Sequence, residues 1–138
     1  MSTFEATDFK NLPVYNKALE IFKVSRAIAC SISDNKNILE MSFSANFNHQ
    51  FAGEIVSDSL QLAPGLATVQ STSNPLLRLR RAKQIRKAIN RILSGAQKLE
   101  FNGVREKEFL KILRSEIHQF DHLFSEWLYK LQLNRKEN

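Results

Sequence analysis

The sequence predicts an all-α protein, an up-down-up-down four-helix bundle. Three observations carry that expectation. Apolar residues recur with the helical period in four long stretches, so each stretch has one face to bury. Short polar segments separate the stretches, which favours antiparallel neighbours. The 138 residues include only four Gly and three Pro, too few for the many turns of a β-sandwich. No strand-like alternation and no fixed-period repeat interrupts the pattern. Residues 1–138 are therefore expected to form one domain, with flexible ends at about 1–10 and 133–138.

The first helix is expected from a cap at Asn11 to about Ser31. Pro13 falls in its first turn, where a missing N–H costs little. Val14, Ala18, Ile21, Phe22, Ala29 and Ile32 fall on one side. Ser33-Asp34-Asn35-Lys36-Asn37 reads as a polar turn.

The second helix is expected to begin between Ile38 and Asn46. Phe43, Phe47 and Phe51 repeat every fourth residue along one face, and Ile55, Leu62, Leu66 and Val69 prolong the stripe. Pro64-Gly65 interrupts it. Proline removes a bond to the preceding turn and clashes with it, so a kink or an early end is expected. Ser71-Thr72-Ser73-Asn74-Pro75 is the next break.

A third helix runs from near Pro75 to about Leu99, with Ala82, Ile85, Ile89, Ile92 and Ala96 as its apolar stripe. Glu100-Phe101-Asn102-Gly103-Val104 is a turn. The fourth helix, about residues 106–132, has the broadest arc, from Phe109 and Leu110 through Phe120, Phe124 and Trp127 to Leu131. That width suits packing against two neighbours. The closing NRKEN reads as a polar tail.

Charge divides the chain. The formal total is +6, but residues 1–75 carry five basic and seven acidic side chains, whereas residues 76–138 carry fifteen and seven. A basic half attracts an acidic partner: nucleic acid, an anionic membrane or an acidic protein. The excess is densest in RLRRAKQIRKAINR, residues 78–91, where seven of fourteen residues are Arg or Lys. On a helical wheel Arg80, Lys87, Arg91 and Lys98 lie opposite the apolar stripe, with Lys83 alongside. A row of cationic heads suits a phosphate backbone. A merely solvated helix face mixes in Glu for i, i+4 pairing, and no acid occurs between Leu76 and Leu99. These five residues are the candidate nucleic-acid contacts.

Arg78 and Arg81 fall near the apolar azimuth. Their stems are expected to snorkel at the bundle end, or to line a surface where protomers or nucleic acid meet. Phe43, Phe47 and Phe51 are expected in the core or between protomers rather than under stacked bases. His118 and His122 share a helix face at metal-binding spacing, but Asp121 is poorly placed as a third ligand and no Glu-x-x-His pair occurs. Cys30, the single cysteine, is expected as a buried thiol. No phosphate-binding loop, dinucleotide fingerprint, hydrolase elbow, zincin motif or Cys-x-x-Cys is present. No metal, cofactor or catalytic residue is expected.

Residues 12–18, LPVYNKA, open an amphipathic run. With EIVSDSLQLA at 54–63, IRKAINRILSGAQKL at 85–99 and EIHQFDHLFSEWLYKL at 116–131, the chain resembles the accessory variability determinant family of diversity-generating retroelements. The four-helix proteins encoded in ribosomal RNA intervening sequences share a similar first helix. The resemblance implies a non-enzymatic homopentamer of four-helix protomers. It also implies binding to RNA or DNA and to a reverse transcriptase that copies template RNA with mutation. The alternative expectation is a free-standing scaffold of the intervening-sequence type that acts through protein–protein contacts. No N-terminal segment joins a basic start to a long apolar run, and no apolar run is long enough to span a membrane. With one cysteine and no possible internal disulfide, a cytoplasmic protein is expected.

Overall fold

The computed structural model describes residues 9–33 and 46–137. Five helical segments make up the described chain: α1 (Pro13–Ser33), α2 (Phe47–Leu60), α3 (Leu62–Ser71), α4 (Pro75–Phe101) and α5 (Lys107–Glu137). Among the described residues there is no strand. With α2 and α3 taken as one broken rod, the result is an all-helical bundle of four helices.

The helix boundaries follow local chemistry. The Leu12 carbonyl accepts the first α1 bond, from Asn16 N at 3.1 Å, so the cap sits one residue beyond the expected Asn11. Asn46 caps α2, its Oδ1 accepting from Asn48 N at 2.9 Å and His49 N at 3.2 Å. Asn74 caps α4 through Leu77 N, with Pro75 at the first helical position.

The break in the second rod falls at Gln61, three residues before Pro64. Proline cannot donate to the carbonyl of Leu60 and would collide with it. The helix therefore ends there and restarts, so that Pro64 lies in a first turn. The α5 helix continues to Glu137, through the segment expected as a tail. Much of the expected first turn, the start of the second helix and Phe43 lie outside the described residues.

One apolar cluster draws side chains from all five segments. Ile21 and Ile28 enter from α1, Ile55 from α2, Leu62 and Leu66 from α3, Ile92 and Leu99 from α4, and Phe120 and Phe124 from α5. Each such side chain contributes about 1.5–3 kcal/mol by leaving water. The Phe120 and Phe124 rings stack at 5.8 Å between centroids. Cys30 is exposed, against expectation. Ile28 and Ala29 take the buried azimuth, and a residue one or two positions further has turned away from it.

Two features set the geometry near α4. At Gly95 the α2 and α4 helices approach closely, and a Cβ there would lie 2.9 Å from Ile55 Cγ1. At its C-terminus α4 closes with Gly103 at φ 73°. Gly103 N donates to the Glu100 carbonyl and Val104 N to the Leu99 carbonyl. That pairing is a Schellman motif, and it needs the left-handed residue that glycine supplies without strain. It holds Phe101 and Asn102 in place at the end of the helix.

Candidate nucleic-acid interface

All five expected contact residues on α4 (Arg80, Lys83, Lys87, Arg91 and Lys98) are exposed. They do not form a uniform row. Arg80, Lys83 and Lys87 have no ion-pair or hydrogen-bond partner among the described residues, so their heads are available for an external anion. Arg91 is committed: its Nε and Nη2 both donate to Asp58 Oδ1 of α2, at 3.1 and 3.0 Å. Lys98 leans over the Phe51 ring, with Nζ 5.1 Å from the centroid.

The cations on the other azimuths of α4 behave differently. Arg86 reaches α5, where Nη1 donates to Asp121 Oδ1 at 3.1 Å, Nη2 donates to Ser125 Oγ at 3.2 Å, and the guanidinium covers the Phe124 ring. Arg78 is 7% exposed and does not snorkel. Its Nε donates to the Thr72 carbonyl at 2.9 Å, and Nη1 donates to the Leu131 carbonyl and Gln132 Oε1 at 3.3 Å. Thr72 belongs to the α3–α4 turn and Leu131 to the last turns of α5. Arg78 therefore ties three segments together at one end of the bundle. The expectation of rim exposure fails because the Thr72 carbonyl just past the end of α3, the Leu131 carbonyl and the Gln132 side-chain oxygen all stand within its reach. Arg81 is exposed in a shallow pocket beside Gln61, Leu62, Gly65 and Thr68, with no partner among the described residues.

Compared with family models, curated proteins and solved structures, the chain matches none.

Apolar side chains flank the free cations at both ends of the same helix. At the N-terminal end Leu76 and Leu79 are exposed, and together with Leu128, Arg80, Lys83 and Arg86 they line a groove of about 550 Å³. At the C-terminal end Phe101 is 92% exposed and Phe47 68% exposed. Phe47 is thus not a core residue. It stands over Phe51, their rings nearly parallel with centroids 6.4 Å apart.

The Phe101 position was legible as a large apolar residue inside a polar turn. Asp58 as counterion to Arg91 was not, because the pair is 33 residues apart in sequence. His118 and His122 are both exposed, and His122 Nε2 lies 3.2 Å from Glu126 Oε1. Among the described residues no group of three His, Cys, Asp or Glu is placed to hold a metal ion, and no helix is long and apolar enough to cross a membrane.

Proposed function

We propose that the protein is a cytoplasmic, nucleic-acid-binding accessory protein of a diversity-generating retroelement. Its up-down-up-down four-helix protomers assemble as a homopentameric ring. They bind template RNA beside the reverse transcriptase and take no part in the chemistry. The observation that carries this reading is the set Arg80, Lys83 and Lys87: three exposed cations on adjacent turns with no carboxylate among the described residues to neutralise them. Two further points support it. Contacts between neighbouring helices run in opposite senses, as antiparallel packing requires: Lys17–Glu116 and Ser31–Glu106, Arg86–Asp121 and Arg114–Glu100, Arg91–Asp58 and Asn102–Asn48. The LPVYNKA opening carries the family resemblance.

Binding of this kind is read by charge. It weakens steeply with salt and depends little on base sequence. Charge reversal at Arg80→Glu, Lys83→Glu and Lys87→Glu together is expected to abolish most RNA affinity at low salt. The slope of log affinity against log salt should fall by about 2–3, at roughly 0.7–0.9 for each phosphate no longer neutralised. RNA affinity and slope equal to those of the unaltered protein would show that this face does not carry binding.

One observation favours the scaffold alternative. Leu76 and Leu79 place exposed apolar area beside Arg80 and Lys83, a combination that also suits a protein surface with acidic and apolar side chains. In that case the Glu triple variant loses a protein partner while filter binding shows no RNA retained at any salt concentration.

A further inference from the structure

Between α2 and the C-terminal turns of α4 lies an open groove of about 580 Å³. Phe47, Phe51 and Phe101 give it three aromatic walls, and Lys98, Gln97 and Asn102 give it polar edges. We infer that this groove takes an unpaired base of a single-stranded nucleic acid whose phosphates run along the free cations of α4. The inference rests on the nucleic-acid reading above and deepens it, because it specifies strandedness and a second site on the same helix.

Four observations bear on the occupant. Phe101 and Phe47 expose most of their surface, an unfavourable state for two large apolar rings unless something stacks on them. The site is not only apolar. Gln97 has no hydrogen-bond partner among the described residues, so its amide is free to meet a base edge. Asn102 donates through Nδ2 to Asn48 Oδ1 at 2.8 Å, which fixes its side chain. Its own Oδ1 faces no hydrogen-bond donor among the described residues. Lys98 sits over one aromatic wall and gives the groove a positive charge that complements a phosphate.

The groove is also continuous with the ridge. Lys87 and Lys98 are eleven residues apart on one exposed face, a rise of about 16 Å at 1.5 Å per residue. An extended single strand can follow that distance, whereas the bases of a duplex are already stacked and paired and cannot enter. Aromatic platforms beside a cationic track are the recurrent means of holding single strands without reading sequence.

The test compares three probes by fluorescence anisotropy: a short oligothymidylate, an abasic oligonucleotide of equal length and charge, and a duplex. The unaltered protein is expected to bind the oligothymidylate about tenfold or more tightly than the abasic strand. The Phe47→Ala, Phe101→Ala double variant is expected to lose that preference and to bind both strands like the abasic one. Phe101→Trp with Phe47 intact should restore or raise it. Both phenylalanines are exposed, so circular dichroism should show the helical signal intact.

Equal affinity for thymidylate and abasic strands in the unaltered protein would overturn the inference without any variant. A change in sedimentation coefficient of the double variant, with the base preference retained, would overturn it in favour of contact between copies. Failure of every probe to bind at low salt would instead bring down the ridge reading itself. Salt-sensitive binding that ignores the bases brings down only the groove.

Discussion

Arg78 and Lys87 stand on the same helix, nine residues apart, and have opposite fates. Arg78 is buried against two backbone carbonyls and an amide oxygen, and Lys87 projects into solvent with no partner among the described residues. Arg86 and Arg91 fall between these extremes, each joined to one carboxylate on a neighbouring helix. Arg80 and Arg81 are arginines in the same dense run and have no partner among the described residues, so residue type and local charge density do not by themselves decide what a given cation does. Azimuth and the acceptors that other helices bring within reach decide it. The inward members hold the bundle together, and the outward members are left for a partner.

The largest effect that separates the two groups is expected at Arg78. Arg78→Ala leaves the Thr72 and Leu131 carbonyls without their charged donor and opens a gap between three segments. A hydrogen bond to a charged group is worth about 1.5–3 kcal/mol, and loss of a buried charged partner costs more than a surface change. Urea unfolding is expected to show a loss of about 3 kcal/mol. Arg78→Lys should recover little of it, because one ammonium cannot reproduce the geometry of the guanidinium fork. A loss under about 0.5 kcal/mol, of the order of ordinary surface changes, would place Arg78 with the outward cations and dissolve the comparison.

The divided behaviour of this helix shows what the sequence can and cannot reveal. The apolar stripe from Ala82 to Ala96 follows from a 3.6-residue period, and all five of its residues are buried. The outward azimuth of Arg80, Lys83 and Lys87 follows from the same wheel. The fate of Arg78 does not, because its acceptors come from positions 72, 131 and 132. Its place on the apolar side was legible; the acceptors on Thr72, Leu131 and Gln132 that make burial tolerable were not. Pro64 shows the same limit at the level of backbone. Its effect was readable, but the break appears three residues upstream because the clash acts on the preceding turn. The aromatic groove was least legible. It needs α2 to cross α4 closely at Gly95, where Ile55 meets a residue 40 positions further along the chain.

Arg86 sharpens the middle of the series. Arg86→Ala removes one ion pair with Asp121, a hydrogen bond to Ser125 and a guanidinium from the face of Phe124. The pair is about half exposed, so solvent screens it, and the contact with the ring contributes about 0.5–1 kcal/mol. A loss of about 1 kcal/mol is expected in urea unfolding, with most of it remaining at high salt because ring contact and stem packing are screened less than the ion pair. A loss as large as that of Arg78→Ala would mean that exposure does not order the cations.

The smallest effect on stability, and the finest test of the boundary, belongs to Arg91 and Asp58. Their contact is partly exposed on the arginine side, so the expected coupling energy in a double-mutant cycle is only about 0.2–1 kcal/mol. Binding should respond in the opposite sense. Asp58→Asn keeps the side-chain oxygen near Arg91 but removes the negative charge, and so releases a guanidinium toward the outward face. If Arg80, Lys83 and Lys87 form a phosphate track, Arg91 then joins it. RNA affinity rises, and the salt slope steepens by about 0.7–0.9, the increment for one further neutralised phosphate. An unchanged slope in Asp58→Asn, with stability nearly intact, would mean that the track stops at Lys87 and that Arg91 belongs with the inward cations.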